Sequence, residues 1–141
     1  MSVRLRSLEA PLVTLVALHS YGVGAMLILA PAWAVRFAGW HGADPLFFPV
    51  QAGVFHLVLA TGYLLEYRRS RGVSLLLLAK GTAFVFLMGA VIFSRVPWAV
   101  PFSGVADGLM GLAVALVHAG GRARGGGAPH PAGERRGSPV S

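Results

Sequence analysis

Four polar residues lie inside otherwise apolar stretches of this 141-residue chain: His19, His56, Lys80 and Asp107. A charge at the centre of a bilayer costs at least ~2.5 kcal/mol, so an ionisable residue there usually lines an ion pathway, relays protons or pairs with another residue. Two histidines on neighbouring helices can also ligate a haem iron. These residue types indicate three chemistries: ion or proton transfer, haem ligation, and polar bonds between helices.

His56 and Asp107 are the candidate intramembrane polar site. Helices that begin at Pro49 and Val100, counted at ~1.5 Å per residue, place both side chains ~10 Å below the same membrane boundary. Helical side chains lean toward the helix N-terminus, so both lean toward that boundary. The two can form a hydrogen-bonded pair if the second and fourth apolar segments pack together. Such a pair exchanges protons if it is open to water and is a structural contact if it is dry.

Lys80 belongs to a segment that runs in the other direction. The same count places it ~10 Å from the opposite boundary, and its side chain leans away from Asp107. This geometry disfavours a direct bridge between Lys80 and Asp107. The long lysine stem instead favours an ammonium group that reaches the nearer interface, where Glu66 is a candidate partner.

Haem b is a further interpretation of the two histidines, His19 and His56. Their depths differ by ~6 Å, and Gly22 with Gly53 offers part of the space that a macrocycle needs. Histidines at this depth more often bond to a carbonyl or a neighbouring side chain, so no cofactor and no metal site are predicted. The chain has no cysteine and no HExxH, P-loop or nucleophile-elbow motif. We therefore expect no enzymatic activity.

The polar residues must be positioned by long apolar helices. A hydrocarbon core of ~30 Å needs ~20 helical residues, and four stretches of about that length are present. Hydrophobic residues make up 55% of the chain and charged residues 12%, against about 25% charged in soluble domains. Residues 1–119 are thus predicted to form an all-α, polytopic membrane domain, an antiparallel bundle of four transmembrane helices. Their expected ranges are about 10–30, 49–66, 73–93 and 100–119.

The basic residues predict the orientation of these helices. Of the 12 Lys and Arg residues behind the formal charge of +7, nine lie beside one membrane face, and only Arg36 and Arg95 lie beside the other. The positive-inside rule then predicts an inner-membrane protein with both termini cytoplasmic. No basic stripe with interleaved aromatic side chains is present, so nucleic acid is not an expected partner. The nine are Arg4, Arg6, Arg68, Arg69, Arg71, Arg122, Arg124, Arg135 and Arg136.

Three tryptophans fall on the predicted outer side. Trp33, Trp40 and Trp98 are the candidate lipid-interface residues, because amphipathic rings favour the headgroup level. The connection from Pro31 to Asp44 is predicted to be a short interfacial element. At the other end of the chain, residues 120–141 are rich in Gly, Pro, Arg and Ser, which predicts a disordered basic tail attracted to anionic lipids.

Small residues form a stripe along the fourth segment. Gly104, Gly108 and Gly111 recur every three or four residues beside Asp107, and the first two make a GxxxG pair. The stripe predicts close packing of the fourth helix against the second, with the fourth helix among the most enclosed.

The chain from Leu12 to His118 resembles small bacterial four-helix membrane proteins of the DoxX-like and related families, whose function is unknown. The resemblance implies a compact bundle that accompanies other membrane components, and it carries over no catalytic residue. The residues that carry it are Gly22 and Pro31, then Gly53, Phe55, Gly62 and Tyr63, then Ala79 and Lys80, and finally Asp107.

Three functions from different classes follow from the sequence. The leading hypothesis is an accessory or interaction component whose partners are the lipid bilayer and other membrane proteins or a second copy of the chain. The alternative is a transporter or channel subunit that uses His56 and Asp107. The third is a haem-binding redox anchor.

Overall fold

The computed structural model describes residues 2–42 and 45–122, with side chains from Ser7 onward. All regular secondary structure in this part of the chain is helical, and it contains no β-strand. Four of its helices are long and apolar enough to cross a membrane, and a fifth, short helix joins the first two of them. The predicted all-α bundle of four spanning helices is therefore confirmed, and the protein is a multi-pass membrane protein. The helices are α1 (Ser2–Leu29), α2 (Pro31–Phe37), α3 (Phe47–Ser70), α4 (Ser74–Phe93) and α5 (Ala99–Arg122).

Three of the four spanning helices are longer than the apolar segments predicted, and α4 matches its predicted range to within one residue. α1 begins at Ser2 instead of near residue 10, α3 ends at Ser70 instead of near 66, and α5 ends at Arg122 instead of 119. Apolar character marks the bilayer, whereas a helix continues into the polar flank until a residue breaks it. Pro31 is such a residue, because the position before a proline disfavours helical geometry. Of the predicted tail, residues 120–122 are helical and residues 123–141 lie outside the described residues.

The helices pack in the order α3, α1, α5, α4. α1 contacts both α3 and α5, and α4 contacts α5 extensively but α3 only slightly. Among the described helices, no Cα atom of α3 lies within 8 Å of one in α5, so the expected packing of the second and fourth spanning helices is wrong. Gly24 and Gly53 explain the difference, because a Cβ atom on either would lie 2.8 Å from the carbonyl oxygen of the other. Only two glycines allow α1 and α3 to approach this closely.

The buried side chains concentrate toward one end of the bundle. We call it the terminal end, because it holds the start of α1, the α3–α4 turn and the end of α5. Tyr63 and Tyr67 of α3 belong there to one core cluster with side chains from α1, α4 and α5. The outer faces of the helices carry exposed large apolar side chains, which is the surface expected of helices in lipid. The core cluster consists of Val13, Val16, Tyr63, Tyr67, Val73, Leu76 and Val114.

Aromatic side chains join α2 to the α4–α5 connection at the opposite end, which we call the α2 end. The indole Nε1 of Trp98 donates a hydrogen bond to the carbonyl oxygen of Phe37 over 3.1 Å. The Phe37 ring stacks on Trp33 with a centroid distance of 5.1 Å and meets Trp98 edge to face at 5.5 Å. Trp33, Trp40 and Trp98 are all exposed. The expected interfacial element is thus a helix, α2, lying at the end of the bundle that carries the three tryptophans.

Candidate functional site

Lys80 and Asp107 form an ion pair inside the bundle. Nζ of Lys80 donates to Oδ1 of Asp107 over 2.5 Å, and the two side chains are 4% and 14% exposed. The expectation that no direct bridge joins them is therefore wrong. An ion pair with both partners so enclosed offsets two charges that would each be costly in an apolar medium.

The relative register of α4 and α5 explains the correction. A Cβ atom built on Gly111 would lie 3.3 Å from Cβ of Lys80, so these two backbone positions face each other. Asp107 precedes Gly111 by four residues, which is about 6 Å along the helix axis. The depth count gave a larger separation because it started both helices at the membrane boundaries. Since Gly111 has no side chain, the stem of Lys80 can extend over it toward Asp107.

α3 contributes two side chains to the surroundings of this ion pair, and α1 contributes His19 beside His56. His56 of α3 interacts electrostatically with Lys80, Asp107 and also His19 of α1. Tyr63 of α3 interacts electrostatically with Asp107. Electrostatic interactions act over about 10 Å, so these side chains share one region of the bundle without necessarily being in contact. We call these five residues, from α1, α3, α4 and α5, the polar cluster.

His56 and Asp107 were predicted to form a pair, and the structure shows an electrostatic influence of Asp107 on His56 without a bond between them. Among the described residues, no hydrogen bond joins the imidazole of His56 to Asp107, whose Oδ1 atom instead accepts from Lys80. The sequence identified both residues and missed Lys80 as the partner of Asp107. The sequence shows Gly111 one turn from the intramembrane carboxylate, but only the structure shows that this glycine faces Lys80.

The two histidines of the haem hypothesis come from adjacent helices. His56 of α3 is half-buried and interacts electrostatically with His19 of α1, which is exposed. Gly22, expected to make room for a macrocycle, has open space where a side chain would begin, whereas Gly53 is closed off by α1. No group of three or more His, Cys, Asp or Glu residues in the described part of the chain could hold a metal ion.

A groove runs along the outer side of α4 and α5 and reaches Asp107. Its volume is about 570 Å³, and apart from Asp107 its lining is apolar. Gly81, Gly108 and Gly111 form its small-residue lining, while exposed side chains such as Leu109 line its open side. We call it the α4/α5 groove. It opens laterally, on the surface that large apolar side chains mark as facing lipid.

Two of the three stripe glycines bring α5 against larger side chains of α4. A Cβ atom on Gly104 would clash with the end of the Met88 side chain, and one on Gly108 would lie 2.7 Å from Cδ2 of Phe84. Together with Gly111 against Lys80, these contacts set the spacing of the two helices. The stripe is therefore used for contact with α4 along its length.

A second polar pair lies at the terminal end. Nδ1 of His118 in α5 lies 3.1 Å from Oε1 of Glu9 in α1. Glu66 does not meet Lys80, as had been expected, but accepts from the backbone amides of Ser74 and Leu75 at 3.1 and 2.9 Å. A carboxylate at the first turn of α4 satisfies amides that have no partner within the helix. Sequence analysis missed both roles, since each depends on which helix ends lie together.

The polar cluster is an enclosed ion pair with two histidines and a tyrosine nearby, and the α4/α5 groove gives the ion pair a side that faces lipid. Comparison of the chain with models of known protein families, with curated proteins and with solved structures finds no match.

Proposed function

We propose that this protein is an accessory or interaction component of a membrane assembly, without catalytic activity of its own. The α4/α5 groove is the observation that carries the proposal. It is a lateral, apolar recess of about 570 Å³ whose lining includes Gly81, a glycine with open space where a side chain would begin. Transmembrane helices associate through small residues that let their backbones approach, so this recess suits an apolar helix of another chain.

The ion pair supports the same proposal. Lys80 and Asp107 satisfy each other at 2.5 Å, so neither charge needs a transported ion to balance it. The groove that reaches Asp107 has an apolar lining and opens toward lipid instead of toward one end of the bundle. Transported ions need a polar, water-accessible route, whereas a partner helix needs an apolar surface. The resemblance to DoxX-like proteins, which carries the expectation of a bundle that accompanies other membrane components, is in keeping with this function.

The distribution of charge supports an orientation with both termini in the cytoplasm of a bacterial inner membrane. Arg68, Arg69 and Arg71 lie in or beside the α3–α4 turn and Arg122 ends α5, so all four are at the terminal end. Arg36 in α2 and Arg95 in the α4–α5 connection are at the α2 end. Cytoplasmic loops carry an excess of basic residues.

Cross-linking in native membranes tests the groove as an interface. The chain has no cysteine, so single cysteines can be introduced without background. We expect Leu109→Cys and Leu112→Cys, which line the groove, to give cross-linked products of a defined larger mass. Val58→Cys and Leu65→Cys, which are exposed on α3, are the matched controls and should give none. Equal cross-linking at all four positions, or none at any, would contradict an interface at the groove.

A transporter or channel subunit is the second candidate, and the polar cluster favours it. Polar residues of four helices in one cluster are an arrangement that proton relays use. Asp107→Asn in sealed liposomes with a pH-sensitive dye tests this function. A change in proton flux in a variant that still folds would favour transport, and unchanged flux alongside lower stability would favour an ion pair that only fastens the bundle.

A further inference from the structure

A pocket of about 380 Å³ opens at the terminal end, separate from the polar cluster. It lies where the first turns of α1 come close to the ends of α3 and α5, and its lining includes two arginines. Water occupies ~30 Å³ per molecule, so the pocket has room for about a dozen waters or for a glycerophosphate group. The lining includes Glu9, Tyr67, Ser70, Arg71, His118 and Arg122.

Arg71 is held in the pocket by an uncommon backbone conformation. Its φ of 54° and ψ of 22° lie in the left-handed region, and it is the C-cap of α3, with its amide donating to the carbonyl oxygen of Tyr67 at 3.0 Å. Glycine or asparagine usually occupies such a position, because a Cβ atom there costs roughly 1–2 kcal/mol. A glycine, Gly72, follows immediately. An arginine kept at a strained position points to a role for its side chain.

The surrounding contacts orient the Arg71 guanidinium. Its Cζ atom lies 5.1 Å from the centroid of the buried Tyr67 ring, which is a cation–π contact. This contact uses the face of the guanidinium group, so the N–H groups at the edge of the guanidinium can still donate hydrogen bonds. Ser70 fixes the turn, because its hydroxyl donates to the carbonyl oxygen of Glu66 at 3.0 Å and accepts from the amide of Gly72 at 3.3 Å. The arginine therefore sits on a rigid turn.

The electrostatics of the pocket favour an anion. Among the described residues, neither Arg71 nor Arg122 has a carboxylate within 4 Å. The one carboxylate in the lining, Glu9, is already bound to His118 at 3.1 Å. The other nearby carboxylate, Glu66, accepts two backbone amides of α4. Two guanidinium groups thus line a cavity in which the described residues supply no unpaired carboxylate to balance them.

We propose that this pocket binds the phosphate group of an anionic phospholipid. Guanidinium groups match phosphate oxygens in a bidentate geometry, which an ammonium group cannot do. The pocket lies at the ends of membrane-spanning helices, where lipid headgroups reach it by lateral diffusion. Basic pockets between helices at this level are suited to headgroups of anionic lipids. This inference does not depend on the partner-binding role of the α4/α5 groove.

Native mass spectrometry of the purified full-length chain tests the site with phosphatidylglycerol and phosphatidylcholine as probes. We expect the wild type to retain one phosphatidylglycerol in preference to phosphatidylcholine. Each arginine near an anionic headgroup contributes enough to change affinity about fivefold, so Arg71→Asn and Arg122→Gln should each weaken retention by about that factor. Asn is chosen at position 71 because it tolerates the left-handed conformation.

The matched control is Arg69→Gln, which removes an exposed arginine of the same turn that does not line the pocket. It should retain phosphatidylglycerol within about twofold of the wild type, because a surface charge is screened by salt. Thermal unfolding in phosphatidylcholine should show that all three variants are folded. Equal losses in all three variants, equal retention of both lipids, or displacement of the lipid by millimolar inorganic phosphate would each overturn the lipid site.

Discussion

The ion pair between Lys80 and Asp107 should dominate the stability of the bundle, and its two partners should not be equivalent. Removing one partner of a buried ion pair costs about 3–5 kcal/mol, because the other charge is left unpaired. We expect Asp107→Leu to lower the free energy of unfolding by about 3 kcal/mol, since the remaining lysine side chain is only 4% exposed. Lys80→Met should cost less, about 2 kcal/mol, because the carboxylate is 14% exposed and borders the groove.

The double variant Lys80→Met with Asp107→Leu should recover most of the loss. Apolar side chains of similar volume often replace a buried ion pair without loss of stability, so we expect a free energy of unfolding within about 1 kcal/mol of the wild type. The coupling energy between the two positions would then be about 4 kcal/mol. This is well above the ~0.6 kcal/mol that neutral hydrogen bonds between membrane helices contribute on average.

Reversible unfolding in mixed detergent micelles, followed by circular dichroism, measures all four states of this cycle. Tyr21→Phe is the matched control, because it removes a neutral bond of 2.7 Å between α1 and α3, from the Tyr21 hydroxyl to Thr61. It should cost about 0.6 kcal/mol. Additive losses in the double variant, within about 0.5 kcal/mol, would refute the claim that the two charges stabilise each other inside the bundle.

Three further predictions concern packing and orientation. Gly53→Ala should destabilise the bundle by about 1–3 kcal/mol in thermal unfolding, because its new Cβ atom would meet the backbone of α1. Gly22→Ala is the matched control: its Cβ atom has open space, so the variant should gain about 0.5–1 kcal/mol from the higher helix propensity of alanine. Gly108→Leu should also cost about 1–3 kcal/mol by displacing the ring of Phe84, and unchanged stability would mean that α5 does not press against α4 there. A reporter protein fused after Ala119 should show a cytoplasmic phenotype. Activity of the reporter on the other side of the membrane would show that the orientation is the reverse of the predicted one.

The haem hypothesis has its own measurement. If His19 and His56 ligate haem b, the purified protein should show a Soret absorption band that His56→Ala removes. A protein purified from haem-replete cells without that band would eliminate the redox anchor as a function.

The sequence located the polar residues but could not pair them. His56, Lys80 and Asp107 were recognisable because each interrupts an apolar segment. Their depths followed from counting residues, but a count measures distance only from an assumed helix start. In the structure, Gly111 of α5 faces Lys80 of α4. Asp107 therefore lies only about one helical turn from Lys80 along the helix axis, whereas the count had given a separation too large for a bond.

The choice of neighbouring helices was equally beyond the sequence. The chain has 19 glycines, and a small-residue pattern on one helix does not say which helix it meets. The stripe on α5 was expected to receive the second spanning helix, yet that helix packs on α1 through Gly24 and Gly53. A contact between two glycines becomes visible only when both backbones are placed.

The sequence by itself determined the environment of the chain and the number of its spanning helices, because both depend only on composition along the chain. Four apolar stretches of membrane-spanning length require helices, because lipid offers no partner for backbone N–H and C=O groups. The tertiary structure alone decided which polar groups meet: Lys80 with Asp107, Glu9 with His118, and Arg71 with Tyr67. The physical reason is that a hydrogen bond or an ion pair acts over a few ångströms. A shift of one turn in register, or a different neighbouring helix, therefore changes the partner of every polar side chain. The hydrophobic driving force that places the helices in the membrane is the same in each of these arrangements.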